Sequence, residues 1–148
     1  MAEVGFYHLT RMGVREAVPA LLGRTLAAGE FALVVARDRG VLEALDEALW
    51  LSQSPDWLPH GMAGGAHDDW QPILLSQAAE AVNGARFLFL VDGAEVAVEG
   101  FVRVFDLFDG NDEAAVAAAR ARWRAATAAG HALTYWQQGP KGWVKAAG

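Results

Sequence analysis

Apolar and polar residues fall along this chain in short blocks whose spacing changes from strand-like to helix-like and back. Residues 4–9 form an apolar, aromatic run that predicts a first strand. Residues 14–28 carry helical spacing through Val18, Leu21, Leu22 and Leu26, ending at Gly29. Pro19 inside that block predicts either a kink or a helix that properly begins there, because proline lacks the backbone donor and fits best in a first turn. Residues 31–36 are continuously apolar, which suits a strand covered on both faces. Residues 41–51 are helical again, with Leu42, Leu45 and Leu49 on one stripe and Asp46 and Glu47 off it.

Residues 52–70 break the pattern. They hold Pro55, Pro59 and a Met62-Ala63-Gly64-Gly65 run without a clear period, and read as a long loop. Loops of that length are uncommon in a compact domain unless they have a function or are disordered. Residues 73–75 and 86–91 predict two further core strands, joined around Asn83-Gly84 and ended by Asp92-Gly93. A short helical or irregular piece, 95–101, leads into a strand at 102–108 with apolar side chains on both faces. Asn111-Asp112-Glu113 then caps an alanine-rich helix that Gly130 closes, and acid at its start with arginine near its end matches the helix dipole. Residues 132–136 predict another strand, and Gly139-Pro140-Lys141-Gly142 turns the chain into a short hairpin ending at Trp143-Val144.

Strands and helices alternate nearly throughout. The predicted fold is therefore α/β, with three layers: a mainly parallel central sheet with helices on both faces, and a C-terminal hairpin. With 148 residues, no internal repeat and no linker-like stretch, 1–148 reads as a single domain. Hydrophobic residues make up 53% and charged residues 20%, which is globular rather than disordered composition. No apolar run is long enough to span a bilayer, and Glu3 without a following cleavage pattern argues against a signal peptide. Zero cysteines remove disulfides, thiolate metal sites and thiol nucleophiles, and are compatible with a cytoplasmic location. A net charge of −6 argues against a broad face for nucleic-acid backbone, so any contact with DNA is expected to be indirect.

The search for catalytic chemistry finds no site. Thr10-Arg11-Met12-Gly13 follows the first strand but lacks the lysine of a P-loop and the three glycines of a dinucleotide fingerprint. The glycine-rich 61–65 stretch lies inside the long loop rather than between a strand and a helix. His60, His67, Asp68 and Asp69 match no standard zinc spacing and read as a solvated loop. Ser52 and Ser76 lack Gly-x-Ser-x-Gly surroundings. Asp106, Asp109 and Asp112 read as strand-end and cap residues rather than as a catalytic acid and base. No metal and no cofactor is expected.

Basic and aromatic residues stand out instead. At roughly 100° per residue, Arg120, Trp123, Arg124 and Thr127 share one side of the last helix, with Val116 above them and Arg122 roughly opposite. A solvated face whose arginine stems cover apolar surface is the bland alternative. The chain has six tryptophans. Trp50 closes the second helix, Trp57 sits between two prolines, and Trp123 and Trp136 flank the arginine patch. Ordinary core packing would account for any one of them, yet Trp and Arg are also the residues that dominate protein interfaces. Two aromatic clusters, one by the loop and one by the last helix, predict two docking sites.

Along nearly its full length the sequence resembles the chi subunit of bacterial DNA polymerase III. The resemblance rests on Phe6-Tyr7-His8-Leu9, Leu45-Asp46-Glu47-Ala48-Leu49-Trp50, Pro59-His60 and Asn83-Gly84. It continues through Phe101-x-Arg103-Val104, Phe108-Asp109-Gly110, the Arg120-x-Arg122-Trp123 helix, and Gly130-His131-Ala132-Leu133-Thr134-Tyr135-Trp136-Gln137-Gln138. The Leu-Asp-Glu-Ala-Leu-Trp block and the final run are the specific parts. The resemblance implies a nucleotide-binding-like fold without nucleotide chemistry, acting as a non-catalytic adaptor in the clamp-loader assembly. One surface would hold the acidic, Phe-terminated C-terminal tail of single-stranded-DNA-binding protein. There Arg120 corresponds to the arginine that meets the terminal carboxylate, Trp123 to a pocket aromatic, and Val116 to a family lysine, with Arg124 one turn beyond Arg120. A second surface, with Trp50 and Trp57 matching an aromatic pair, would bind a psi subunit or another clamp-loader component, and a repair helicase is a candidate to share it.

Two other functions compete with the adaptor. One is a small α/β nucleotide- or cofactor-binding enzyme with an unrecognised site. The other is direct binding of single-stranded DNA through exposed tryptophans, against which the acidic net charge weighs.

Overall fold

A computed structural model of the chain describes residues 2–53 and 57–148; Pro55, read above as part of the long loop, lies outside the described residues. Among them the element order is β1 (Glu3–Leu9), α1 (Val14–Ala27), β2 (Ala32–Val35), α2 (Arg39–Leu51), β3 (His60–Met62), β4 (Ile73–Ser76), β5 (Phe87–Leu90), β6 (Arg103–Asp109), α3 (Glu113–Ala128), β7 (Ala132–Gly139) and β8 (Gly142–Ala147). The strands form one sheet in the order β3-β4-β2-β5-β6-β1-β7-β8. Every neighbouring pair is parallel except the terminal hairpin β7–β8. The architecture is therefore the α/β sheet with a C-terminal hairpin that the alternating pattern predicts.

Period-two alternation sends successive side chains of each strand to opposite faces, which divides the core in two. On one face Val34, Phe89, Phe105 and Leu107 pack with Val18, Leu21 and Leu22 of α1 and Leu42, Leu45 and Leu49 of α2. On the other, Phe6, Leu33, Leu88, Leu90 and Val104 pack with Phe101 and with Ala119 of α3. That second face is the thinner one, because Ala119 is the only α3 residue fully buried. Alanine buries little area, so α3 relies on intrinsic helix propensity and its caps more than the leucine-rich α2 does.

Local signals set the helix ends. The Asp112 carboxylate accepts from the Ala114 amide at 3.0 Å and so caps the start of α3. Gly130, at φ +82°, closes it in the left-handed conformation that favours glycine. The α1 helix begins at Val14 and carries Pro19 inside it, which settles the alternative left by the sequence. Residues 95–101 are irregular, the second of the two alternatives left by the sequence. Two expectations need correction. Residues 52–70 are not all loop, because His60–Met62 pairs in parallel with β4 as an edge strand and Asp68–Trp70 forms one 3-10 turn. The start of α2 lies at Arg39 rather than Val41, since Asp38 accepts from the Gly40 amide at 2.8 Å and caps the helix earlier.

Candidate protein-binding sites

Helix α3 runs across β6, β1 and β7. Its inward side chains Val116, Ala119 and Trp123 pack on the sheet while Arg120 and Arg124 are exposed. Trp123 is partly buried, edge-on to Phe6 (5.3 Å between centroids) and to Tyr135 (5.8 Å). Neither Arg120 nor Arg124 forms an ion pair among the described residues, which leaves their guanidinium groups available. Burial pushes the Tyr135 hydroxyl above its ordinary titration range, and the charge of Arg120 pulls it back toward that range. Arg120, Trp123 and Tyr135 therefore share one locality, with Val116 packed into its apolar floor.

Trp136 does not belong to that patch. Alternation along β7 turns it to the opposite face, where it stacks on Tyr7 at 6.3 Å, while its neighbour Tyr135 takes the α3 side. Tyr135 is the patch residue that the sequence reading omitted, and the parity of β7 relative to Trp136 was the signal available. Arg122 lies opposite Arg120, as helical geometry requires. Its guanidinium grips Asp106 through two bonds, Nε–Oδ2 at 2.7 Å and Nη2–Oδ1 at 2.9 Å. The two side chains are only 10% and 3% exposed, so this is a buried, bidentate ion pair. Burial pushes the Asp106 carboxyl up, against the pull of Arg122. Asp106 is thus a mid-strand core residue, not the strand-end residue its position suggested.

The second aromatic cluster sits at the α2–β3 corner. Trp50 and Trp57 are 68% and 74% exposed, and Leu51 beside Trp50 is 65% exposed. Trp50 lies against the His60 ring at 4.8 Å. That ring is buried, contrary to the solvated loop expected, with Nδ1 2.7 Å from the Leu58 carbonyl and Nε2 3.0 Å from an Asp46 carboxylate oxygen. Leu58, buried in the core, directly follows Trp57, and its carbonyl contacts the same His60 ring. Large exposed apolar side chains are the kind of surface that protein contacts cover.

The places where this fold class binds phosphate are filled by the chain itself. At the β1–α1 turn the Gln138 side-chain oxygen accepts from the amides of Thr10, Arg11 and Met12, at 2.8, 2.8 and 3.2 Å. At the β2–α2 turn the Asp92 carboxylate accepts from the amides of Arg37 (2.8 Å) and Asp38 (2.9 Å). Consecutive amides of that kind are the donors that would cradle an anion. The amides of Gly64 and Gly65 are likewise taken, at 2.9 and 3.0 Å, by the Asp68 carboxylate. The four candidate metal residues do not converge, since His60 bonds Asp46, His67 stacks on Trp70 at 4.2 Å, and Asp68 holds the glycine turn.

A comparison with curated proteins finds no match. Residues 1–134 match the family model described as DNA polymerase III chi subunit, HolC. That match spans Trp50, Trp57 and the whole of α3 with Arg120 and Trp123, together with every strand up to the first part of β7, and ends one residue before Tyr135. The chain therefore belongs to the DNA polymerase III chi subunit family, whose members are accessory subunits of the replicative polymerase.

Proposed function

We propose that this chain is a non-catalytic adaptor of the DNA polymerase III holoenzyme. In this reading it binds the acidic, Phe-terminated tail of single-stranded-DNA-binding protein and links it to the clamp loader. The observation that carries the reading is Arg120, an exposed guanidinium without an ion-pair partner among the described residues, beside the half-buried rings of Trp123 and Tyr135. A tail ending in phenylalanine offers one carboxylate and one ring. The guanidinium supplies a charge-assisted bond to the first, and the aromatic floor receives the second. Arg124, one turn away, is placed for acidic residues further up the tail. Ordering a flexible tail costs free energy, so affinity is expected on the order of micromolar, weakened by salt.

The exposed Trp50–Trp57 corner is assigned to the second partner, a psi subunit or another clamp-loader component, with a repair helicase as a competitor for the same surface. DNA is reached through the single-strand-binding protein, and the working location is the cytoplasm; no described helix is long and apolar enough to cross a membrane. The rival nucleotide-binding enzyme is disfavoured by the Gln138 and Asp92 oxygens that already hold the turn amides. A fluorescence titration with a labelled tail peptide, run beside one with a labelled ATP analogue, separates the two. Peptide binding lost in Arg120→Ala supports the adaptor. Nucleotide binding of similar strength that ignores this substitution would replace it with the rival.

A further inference from the structure

The hydroxyl of Tyr135 has a partner that fixes where it points. His8 Nδ1 lies 2.6 Å from the Tyr135 oxygen, across the β1–β7 pair. The His8 ring is itself wedged. Phe108 covers it at 5.2 Å, and its Cδ2–Nε2 edge lies so close to Gly110 that a Cβ there would meet Cδ2 at 1.9 Å. The absence of a side chain at position 110 is what allows the ring to sit where it does. Phe108 also packs edge-on to Tyr135 at 6.2 Å, so ring and phenol are held from the same side.

We propose that Tyr135, positioned by His8, is a second hydrogen-bond donor of the Arg120 site and makes that site selective for a free terminal carboxylate. The inference rests on the tail-binding reading above. A phenol has one proton to donate. With His8 protonated on Nε2, Tyr135 donates to Nδ1 and has nothing left for a ligand. With the proton on Nδ1, His8 donates to the phenol oxygen and the phenol proton is free to point outward. His8 Nε2 has no protein hydrogen-bond partner among the described residues, so exchanging one tautomer for the other breaks no protein bond. An arriving carboxylate selects the second arrangement, in which His8 donates to Tyr135 and Tyr135 to the carboxylate, beside the Arg120 guanidinium. A carboxamide end presents no negative oxygen to either donor and gains little from them. Tyr135 lies one residue beyond the part of the chain that matches the family.

The test uses two labelled peptides with the same acidic, Phe-terminated sequence, one a free acid and one a C-terminal carboxamide. Each is titrated against the full chain by fluorescence anisotropy. The unmodified chain should prefer the acid by about 10-fold or more, the range of a hydrogen bond to a charged group. Tyr135→Phe keeps the ring and should weaken acid binding by about 10-fold while leaving amide binding within about twofold. His8→Leu should reproduce that loss. His8→Asn, which keeps a donor at the position of Nδ1, should recover most of it. Because each variant is judged by its acid-to-amide ratio, partial unfolding lowers both affinities without mimicking the result. Tyr135→Phe with an unchanged ratio overturns the inference and leaves tail binding standing. Failure of the unmodified chain to bind the acid peptide overturns both.

Discussion

Replacing Arg122 with methionine would strand a carboxylate inside the protein. Methionine retains most of the side chain's length, so the main change is loss of the guanidinium rather than of packing. Asp106, with 3% of its side chain exposed, then has neither water nor a partner. It can escape by taking up a proton, which sets a ceiling on that part of the cost. From an unfolded value of about 3.9 to pH 7, protonation costs about 4 kcal/mol at about 1.4 kcal/mol per pH unit. That agrees with the roughly 3–5 kcal/mol lost when one member of a buried pair is removed. With a urea dependence of about 2 kcal/mol per molar, the unfolding midpoint should fall by about 2 M at pH 7.

The sign of the pH dependence follows from the same carboxyl. Its folded pKa is raised, so the folded variant holds the proton more tightly than the unfolded chain does. Stability is then fully present below about pH 4 and lost as pH rises through the folded value. At pH 5 the protonation cost should shrink to about 1.5 kcal/mol. Urea denaturation followed by tryptophan fluorescence at the two pH values measures both. Asp106→Leu combined with Arg122→Leu should recover most of the loss, since an apolar pair leaves no charge behind. A loss below about 1 kcal/mol at pH 7, or one identical at pH 5, would show that the pair is not buried as described.

Arg120 and Tyr135 are linked through charge, so Arg120→Ala should move the Tyr135 phenol titration further up; 13C NMR of ring-labelled tyrosine measures it, and no movement removes Arg120 from this locality. Gly110→Ala should destabilise by roughly 1–3 kcal/mol in thermal or urea unfolding, because its Cβ would overlap the His8 ring; a neutral effect would mean His8 is not wedged. Trp50→Ala and Trp57→Ala each remove an exposed ring and should change stability by less than about 0.5 kcal/mol while weakening capture of a psi-like partner by tenfold or more. Intact capture by the double variant would remove that corner as the second docking surface.

Features resting on local rules were legible in the sequence. The caps of α3 at Asp112 and Gly130, the buried runs of β2, β4 and β5, and the opposed directions of Arg120 and Arg122 follow from propensity and periodicity alone. Features that depend on distant partners were not. His60–Met62 is a strand because β4 offers it an edge, and three residues carry no period of their own. Asp106 looks like any acid near a strand end until α3 brings Arg122 across it, 16 residues later. Gln138 fills the β1–α1 turn from 126–128 residues away, and no local pattern announces such a contact. Trp136 is close in sequence to the arginine helix and looks like its flank, but strand parity decides the face and sends it to the other side of the sheet.

The central claim is that Arg120 holds a partner's negatively charged end. Its most direct test is sedimentation of the chain with single-stranded-DNA-binding protein loaded on an oligonucleotide, in full-length form and lacking its last residues. The account predicts co-sedimentation with the full-length protein only, abolished by Arg120→Ala while the urea midpoint of that variant stays unchanged. Equal association with the tailless protein, or a folded Arg120→Ala chain that still co-sediments, would contradict it.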